Sequence, residues 1–228
     1  MRGTLVLDST IPVGKGLGSS AAATLAGVAI VTALKDDEFD YDLALETASA
    51  LEGHADNVAP ALMGGLVGVI AERFGYRPFP LSLSHDLGFA FAAPNAIVST
   101  KAARKALPAQ VPHAVAARSV ARGVALVEGL AEADRDLLRL GFADELHVPY
   151  RLGMIPGGES ALDAAIEAGA WAATISGSGS GLIAICERGG EEAVRDAMAE
   201  SFAFATGQRA ISFVAKPDFS GIQIEKIS

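Results

Sequence analysis

Long apolar stretches alternate with short polar or glycine-rich breaks along this chain. A nearly continuous apolar run from Ala21 to about Leu34 predicts a helix that is buried on most sides, because it lacks a polar face. Apolar residues at helical spacing between residues 41 and 51 predict a second helix. Its core-facing stripe is Leu43, Ala44, Thr47, Ala50 and Leu51. Glu46 lies at the edge of that stripe, where a carboxylate needs a cation or metal as partner unless it reaches solvent.

The rest of the chain mixes strand and helix patterns. Short apolar runs predict strands at 66–70, 87–92, 172–175, 181–186 and 209–214, with a closing strand from residue 221. Longer periodic segments predict helices at 111–130, 131–142, 157–167 and 191–204. Such alternation favours an α+β sandwich with helices on one face of an antiparallel sheet.

Composition limits the class of protein. The chain has 228 residues, half of them hydrophobic, which suffices for one large or two small domains, and we place the boundary between 1–84 and 85–228. The net charge of −9 without a basic cluster argues against a nucleic-acid surface. The single Cys186 excludes an internal disulfide. With no signal peptide or membrane span in the pattern, we expect a cytoplasmic protein without a membrane partner.

A glycine-rich loop precedes the first helix. Gly14, Gly16 and Gly18 allow positive φ, and the amides at a helix start together with the helix dipole suit a phosphate. Lys15 adds charge, while the hydroxyls of Ser19 and Ser20 suit an N-cap, a phosphate oxygen or a metal ion. A purely structural turn stays the alternative, because neither the Walker pattern nor the dinucleotide pattern fits. The predicted anion-binding loop comprises Pro12, Gly14, Lys15, Gly16, Leu17, Gly18, Ser19 and Ser20.

Two other segments carry candidate binding residues. Gly53, His54, Asp56 and Asn57 form a polar loop that suits a polar ligand, although an exposed histidine and ordinary turn formers explain it equally well. Thr100 and Arg104 lie four residues apart on one helical face and suit a carboxylate, the alternative being a solvated basic helix.

Several of these strings resemble motifs of the GHMP kinases. Residues 12–22 read Pro-x-Gly-x-Gly-Leu-Gly-Ser-Ser-Ala-Ala, which is similar to the phosphate loop of that family. Residues 52–60 resemble the corresponding loop of its homoserine kinases, with Ala55 in place of a proline. Ser176, Gly177, Ser178 and Gly179 resemble the third family motif, a glycine-rich turn that packs beside the phosphate loop.

The resemblance implies a fold and an activity. The fold is a partial ribosomal-protein-S5-like N-terminal half followed by a ferredoxin-like C-terminal half. The activity is transfer of the γ-phosphate of ATP to the hydroxyl of L-homoserine, which gives O-phosphohomoserine in threonine biosynthesis. Mevalonate-type kinase activity and a non-catalytic nucleotide-binding module are the alternatives.

The resemblance also implies roles for single residues. Ser20 and Glu46 hold Mg²⁺, and Asn57 stands where mevalonate kinases place an aspartate as candidate base. Because an amide takes no proton at pH 7, the hydroxyl proton passes to phosphate or water. The ammonium and carboxylate of the substrate are bound by Gly53, His54, Asp56, Thr100, Arg104 and Arg151.

One family feature has no match here. Family members carry an Asn-rich first motif ahead of the phosphate loop, and nothing in this chain corresponds to it. We therefore expect weak or no kinase activity from this chain, and exposed apolar surface where the first strands of the family lie. The family tendency favours a homodimer.

Overall fold

The structure is a computed structural model that describes residues 4, 6–35, 38–96 and 100–225. The side chains of Thr100, Lys101 and Arg104 lie outside the described part. The predicted substrate contacts of Thr100 and Arg104 therefore stay predictions.

The first unit of the fold consists of three helices and a β-hairpin. Its elements are α1 (Ser19–Leu34), α2 (Tyr41–Glu52), α3 (Val58–Met63), β1 (Leu66–Ala71) and β2 (Tyr76–Leu81). β1 and β2 pair antiparallel, with Leu66 opposite Leu81. α1, α2 and α3 bury a common core of Ala21, Leu25, Ala44, Leu45, Ala48, Val58, Ala59 and Leu62.

Helix α1 is less buried than its apolar sequence predicts. Of its residues only Ala21 and Leu25 are buried, and Val31 and Leu34 are more than half exposed. Among the described elements, α2 and α3 alone pack extensively on α1, so one side of the helix is covered and the other is open. The prediction of burial on most sides is wrong for this chain.

Helix α2 has the predicted bounds within a residue but presents a different face to the core. Its buried residues are Ala44, Leu45, Ala48 and Ser49, while Leu43 and Leu51 are exposed. Asp40 caps the helix by accepting hydrogen bonds from the amides of Asp42 and Leu43. Only Ala44 of the predicted stripe belongs to the core, because the stripe faces an open groove between α1 and α2.

The second unit is built on a four-stranded antiparallel sheet in the order β4-β5-β3-β6. Its strands are β3 (Leu87–Ala93), β4 (Ala172–Ile175), β5 (Leu182–Glu187) and β6 (Ile211–Ala215). The helices are α4 (Thr100–Lys105), α5 (His113–Glu132), α6 (Arg135–Phe142), α7 (Val148–Arg151), α8 (Gly158–Glu167) and α9 (Glu191–Thr206). A short 3₁₀ turn at Leu152–Met154 links α7 to the start of α8.

Helices cover both faces of this sheet. Ala90, Ala184 and Cys186 point to the side where α8 and α9 pack. Leu87 and Ile185 point the other way and contact α5 and α6. Alternate strand residues face opposite sides of a sheet, and here both sides contact helices. The expectation that helices occupy one face is therefore wrong. α5 and α6 fill part of the opposite side.

The segment after β6 returns to the first unit. The amide of Gly65 donates to the carbonyl oxygen of Asp218 at 2.6 Å, and the amide of Ile222 donates to Leu62 at 3.1 Å. Residues 221–225 form no strand, so the predicted closing strand is absent from the described residues. The domain boundary at 84/85 stays a prediction. Residues 218–225 follow that boundary in sequence, yet they contact the first unit.

No helix in the described part of the chain is both long and apolar enough to cross a membrane.

Candidate active site

The glycine-rich loop before α1 depends on three left-handed glycines. Gly14, Gly16 and Gly18 have φ of +72°, +80° and +71°, values that favour glycine. A Cβ on Gly16 would overlap the carbonyl oxygen of Ser176, and one on Gly18 would lie 3.3 Å from Oδ1 of Asn57. At Gly16 and Gly18 the neighbouring chain therefore leaves little or no room for a side chain, whereas at Gly14 the positive φ alone favours glycine.

The second glycine-rich turn packs directly on the first, as the sequence predicts. The hydroxyl of Ser176 donates to the carbonyl oxygen of Gly16 at 2.8 Å. A Cβ on Gly179 would overlap the backbone of Lys15 and Gly16. Gly177, at φ +56°, and the half-buried Ser178 form the tip of this turn. The two turns thus form one backbone-lined unit.

The amides at the start of α1 are available to a ligand. No acceptor in the described part of the chain is bonded to the backbone N–H groups of residues 16–20. Gly18 is the N-cap residue and provides no side-chain hydrogen bond, so neither serine acts as the N-cap. Pro12 and Leu17 in this loop are half-buried. A cavity of about 580 Å³ adjoins Ser19 and Ser20.

Lys15 points away from this group of amides. Its side chain is 4% exposed, and Nζ donates to the carbonyl oxygens of Pro94 at 2.7 Å and Ala96 at 2.5 Å and to the hydroxyl of Ser180 at 3.2 Å. Burial lowers the pKa of the ammonium. The expectation that this side chain adds charge at the phosphate is wrong in this structure, because its three donors are already bonded inside the protein.

A different carboxylate from the predicted one lies beside Ser20. The hydroxyls of Ser20 and Thr24 donate to Oε1 of Glu52 at 2.9 and 2.6 Å. Glu46 is exposed and lies near Gly75 in the turn between β1 and β2. The predicted pairing of Glu46 with Ser20 is therefore wrong, since Glu52 at the C-terminal end of α2 occupies that position.

The polar loop after α2 lies against the start of α1. Nδ1 of His54 is 2.7 Å from Oδ1 of Asp56, and the same oxygen accepts from Nδ2 of Asn57 at 3.3 Å. Asn57 precedes α3 without capping it, and its side chain contacts the position of Gly18. Gly53, at φ +77°, terminates α2. The loop thus brings His54, Asp56 and Asn57 to the edge of the glycine-rich unit.

Arg151 packs against α4. Its Nε donates to the carbonyl oxygen of Ala103 at 3.0 Å, so the arginine is next to the helix that carries Thr100 and Arg104. The carboxylate of Asp144 accepts from the amides of His147 and Val148, both at 2.7 Å, and thereby caps the helix that ends at Arg151.

Asp144 and His147 have shifted ionisation equilibria. Partial burial raises the pKa of Asp144, but the backbone hydrogen bonds outweigh it and the pKa is lowered overall. Burial lowers the pKa of His147, against the attraction of Asp144. These shifts belong to the cap of α7, which is a structural role.

Comparison with known proteins identifies the family to which this chain belongs. The GHMP kinases N terminal domain matches residues 2–65, and the GHMP kinases C terminal domain matches residues 126–203. A homoserine kinase from Moorella thermoacetica is 40% identical over 199 residues, which are 87% of this chain and 67% of that protein. The chain belongs to the GHMP kinase family. As such it shares the family's fold.

Other GHMP kinases extend the comparison. A homoserine kinase from Gloeobacter violaceus is 38% identical over 193 residues, covering 84% of this chain and 64% of that protein. The crystal structure of homoserine kinase from Cytophaga hutchinsonii superposes with a TM-score of 0.85 and 31% identity, covering 93% of this chain and 69% of that one. The chain thus spans about two thirds of the length of these GHMP kinases.

Two functional candidates of this GHMP kinase escaped sequence reasoning. The sequence places Glu52 within the motif of residues 52–60 and Thr24 within the apolar first helix, and neither pattern points to a pairing with Ser20. The signal was present, because Ser20 and Thr24 are four residues apart and so face the same neighbour on α1. The structure identifies that neighbour as Glu52.

Proposed function

We propose that this chain binds ATP with Mg²⁺ and transfers the γ-phosphate to the hydroxyl of L-homoserine, giving ADP and O-phosphohomoserine. The observation that supports this most is the contact between the two glycine-rich turns, with unbonded amides at the start of α1. The curated relatives at 38–40% identity are homoserine kinases, which supports this choice of substrate within the family.

The amides at the start of α1 are the proposed triphosphate ligands. They lie at the positive end of the helix dipole, and no acceptor in the described part of the chain has to be displaced from them. This matters in a chain with a net charge of −9, because positive potential has to be concentrated locally.

Ser20 and Glu52 are the proposed Mg²⁺ ligands. Mg²⁺ prefers oxygen and is usually held by one or two carboxylates together with substrate phosphates and water, which fits a single carboxylate flanked by hydroxyls. The described residues contain no cluster of three or more His, Cys, Asp or Glu side chains suited to a metal. Phosphate oxygens of the nucleotide would supply further ligands to an ion held by Ser20 and Glu52. When bound, the ion neutralises charge on the β- and γ-phosphates.

The loop of residues 53–57 and α4 are the proposed binding elements for the amino acid. Asp56 suits the substrate ammonium, and Thr100, Arg104 and Arg151 suit its carboxylate. During transfer the substrate hydroxyl oxygen bonds to the γ-phosphorus while the bond from that phosphorus to the bridging oxygen of ADP breaks. Because Asn57 is an amide, the hydroxyl proton passes to phosphate or solvent.

A matched pair of variants tests the metal assignment. Glu52→Gln is expected to weaken binding of ATP·Mg²⁺ about ten-fold, while Glu46→Gln changes it less than about two-fold. Isothermal titration calorimetry with ATP, with and without Mg²⁺, measures both. If Glu46→Gln has the larger effect, Glu46 is the metal ligand and our assignment fails.

Separate titrations of the unmodified chain test the function itself. Binding of both ATP·Mg²⁺ and homoserine is the expected result, with O-phosphohomoserine formed only slowly, as followed by ³¹P NMR. Binding of ATP·Mg²⁺ without homoserine would instead indicate a nucleotide-binding module. A cytoplasmic location and a homodimer stay predictions.

A further inference from the structure

Lys15 lies in the glycine-rich loop yet is buried and bonded elsewhere. All three ammonium hydrogens have acceptors, namely Pro94, Ala96 and Ser180. No carboxylate in the described part of the chain lies within ion-pair distance of it. A buried ammonium needs every such bond, because a charge removed from water is destabilising unless it is satisfied.

The three acceptors come from distant parts of the chain. Pro94 and Ala96 follow β3 and lead into α4, and they are 79 and 81 residues away from Lys15. Ser180 belongs to the end of the second glycine-rich turn, 165 residues away. Its hydroxyl accepts from Lys15 and donates to Ala96 at 3.0 Å. One side chain thus joins the phosphate loop, the approach to α4 and the second turn.

We propose that Lys15 is a positioning residue that holds the start of the α4 segment against the phosphate loop, and that it is not a phosphate ligand. Within α4 itself, Ala103 accepts a separate hydrogen bond from Arg151. Basic side chains bonded to backbone carbonyls therefore hold both the segment that leads into α4 and a residue within α4. The consequence for substrate binding rests on the proposed function, whereas the structural coupling does not.

A role as phosphate ligand conflicts with this geometry. To reach a phosphate, the ammonium would have to leave two carbonyl oxygens and one hydroxyl. Pro94 is fully buried, so its carbonyl oxygen would lose this bond away from water, and the fully buried hydroxyl of Ser180 would keep only its bond to Ala96. Phosphate binding by the backbone amide of Lys15 is compatible with the proposal, because only the side chain is committed.

Lys15→Met tests the proposal, with the exposed Lys216→Met as matched control. Loss of the three bonds is expected to raise amide hydrogen exchange in residues 94–105 of the free protein about ten-fold or more. Calorimetry on the same variant should show homoserine affinity reduced about ten-fold and ATP·Mg²⁺ affinity reduced less than about three-fold. Lys216→Met should change neither exchange nor affinity.

Two results would overturn the proposal. One is unchanged exchange in residues 94–105 of Lys15→Met. The other is a loss of ATP·Mg²⁺ affinity larger than the loss of homoserine affinity, as a phosphate ligand would cause. If Lys15→Met does not fold, Ser180→Ala decides by the same exchange measurement, because it removes one acceptor and the hydroxyl bonded to Ala96. If the unmodified chain binds no homoserine, the proposed function fails and the exchange result still decides the role of Lys15.

Discussion

Glu145 ties helix α5 to the segment that precedes α7. Its carboxylate accepts from Nε and Nη2 of Arg118 at 3.0 and 2.9 Å and also pairs with Arg122. The hydrogen bond from Arg118 and the charges of the two arginines lower the pKa of Glu145 to about 2. This carboxyl group therefore stays charged at pH values well above 2.

Replacing Glu145 should reveal that pairing through its pH dependence. Glu145→Gln is expected to lower the Tm at pH 7 by a few degrees at most, because the pair is accessible to solvent. Since the folded pKa lies below the ordinary value of 4.5, the carboxylate stabilises the fold above about pH 4.5, and this contribution is lost as the pH falls toward about 2. Thermal melts from pH 7 to 2 should show the Tm difference shrinking in that window.

The exposed Glu128 on the same helix provides the control. Glu128→Gln should leave the profile of Tm against pH close to that of the unmodified chain. A Tm difference for Glu145→Gln that is constant down to pH 2 would mean that packing, and not charge, connects Glu145 to α5.

At the scale of elements, the two glycine-rich turns behave as one unit because their backbones touch. Gly14 and Gly16 both have positive φ, but only Gly16 has the carbonyl of Ser176 against it. The space at Gly14 is open within 4 Å. Substitution of the two glycines therefore distinguishes the energetic cost of backbone strain, which both share, from that of the contact between the turns, which only Gly16 makes.

Alanine at each glycine measures these effects. Gly14→Ala is expected to cost about 1–2 kcal/mol of unfolding free energy through backbone strain. Gly16→Ala should cost about 1–3 kcal/mol more, because the added methyl group forces the turns apart. Urea unfolding followed by circular dichroism gives both values. Equal losses for the two variants would show that the contact contributes no stability.

Sequence patterns predict those structural features that depend only on residues close together in the chain. The positive-φ glycines, the start of α1 and the bounds of α2 follow from local rules, and the contact of the two turns followed from family resemblance. The choice between Glu46 and Glu52 did not, because it depends on how α2 is rotated against α1. The stripe that includes Leu43 and Leu51 is real, but it faces an open groove.

Lys15 shows the same limit more clearly. A lysine among glycines before a helix suggests a phosphate ligand by composition alone. Its acceptors lie at least 79 residues away in sequence, so no local pattern reports them. Only the structure shows that the backbone of this loop and the side chain of Lys15 have different roles.

At the scale of the whole molecule, open apolar grooves flank α1. One of about 610 Å³ lies between α1 and α2, and one of about 450 Å³ lies between α1 and residues 222–225. Val31, Leu34, Leu43 and Leu51 are each more than half exposed. Such exposed apolar surface promotes association.

Charged substitutions on α2 distinguish the groove between α1 and α2 from the buried core. Leu43→Glu is expected to leave the Tm within a few degrees of the unmodified chain and to reduce binding of an apolar dye, because Leu43 is 59% exposed and an acidic residue suits the first turn of α2. Leu45→Glu, at 3% exposure on the same helix, should prevent folding. Circular dichroism melts and dye fluorescence test both, and unfolding by Leu43→Glu would mean that the groove is closed in solution.

The return of residues 218–225 to the first unit affects how the chain folds during synthesis. Residues 62–65 are bonded to Asp218 and Ile222, so α3 and the start of β1 have their final neighbours only after those late residues have been translated. The N-terminal unit therefore emerges from the ribosome before its packing can be completed. During that interval the apolar residues of the first three helices are incompletely covered, and a chaperone can bind them.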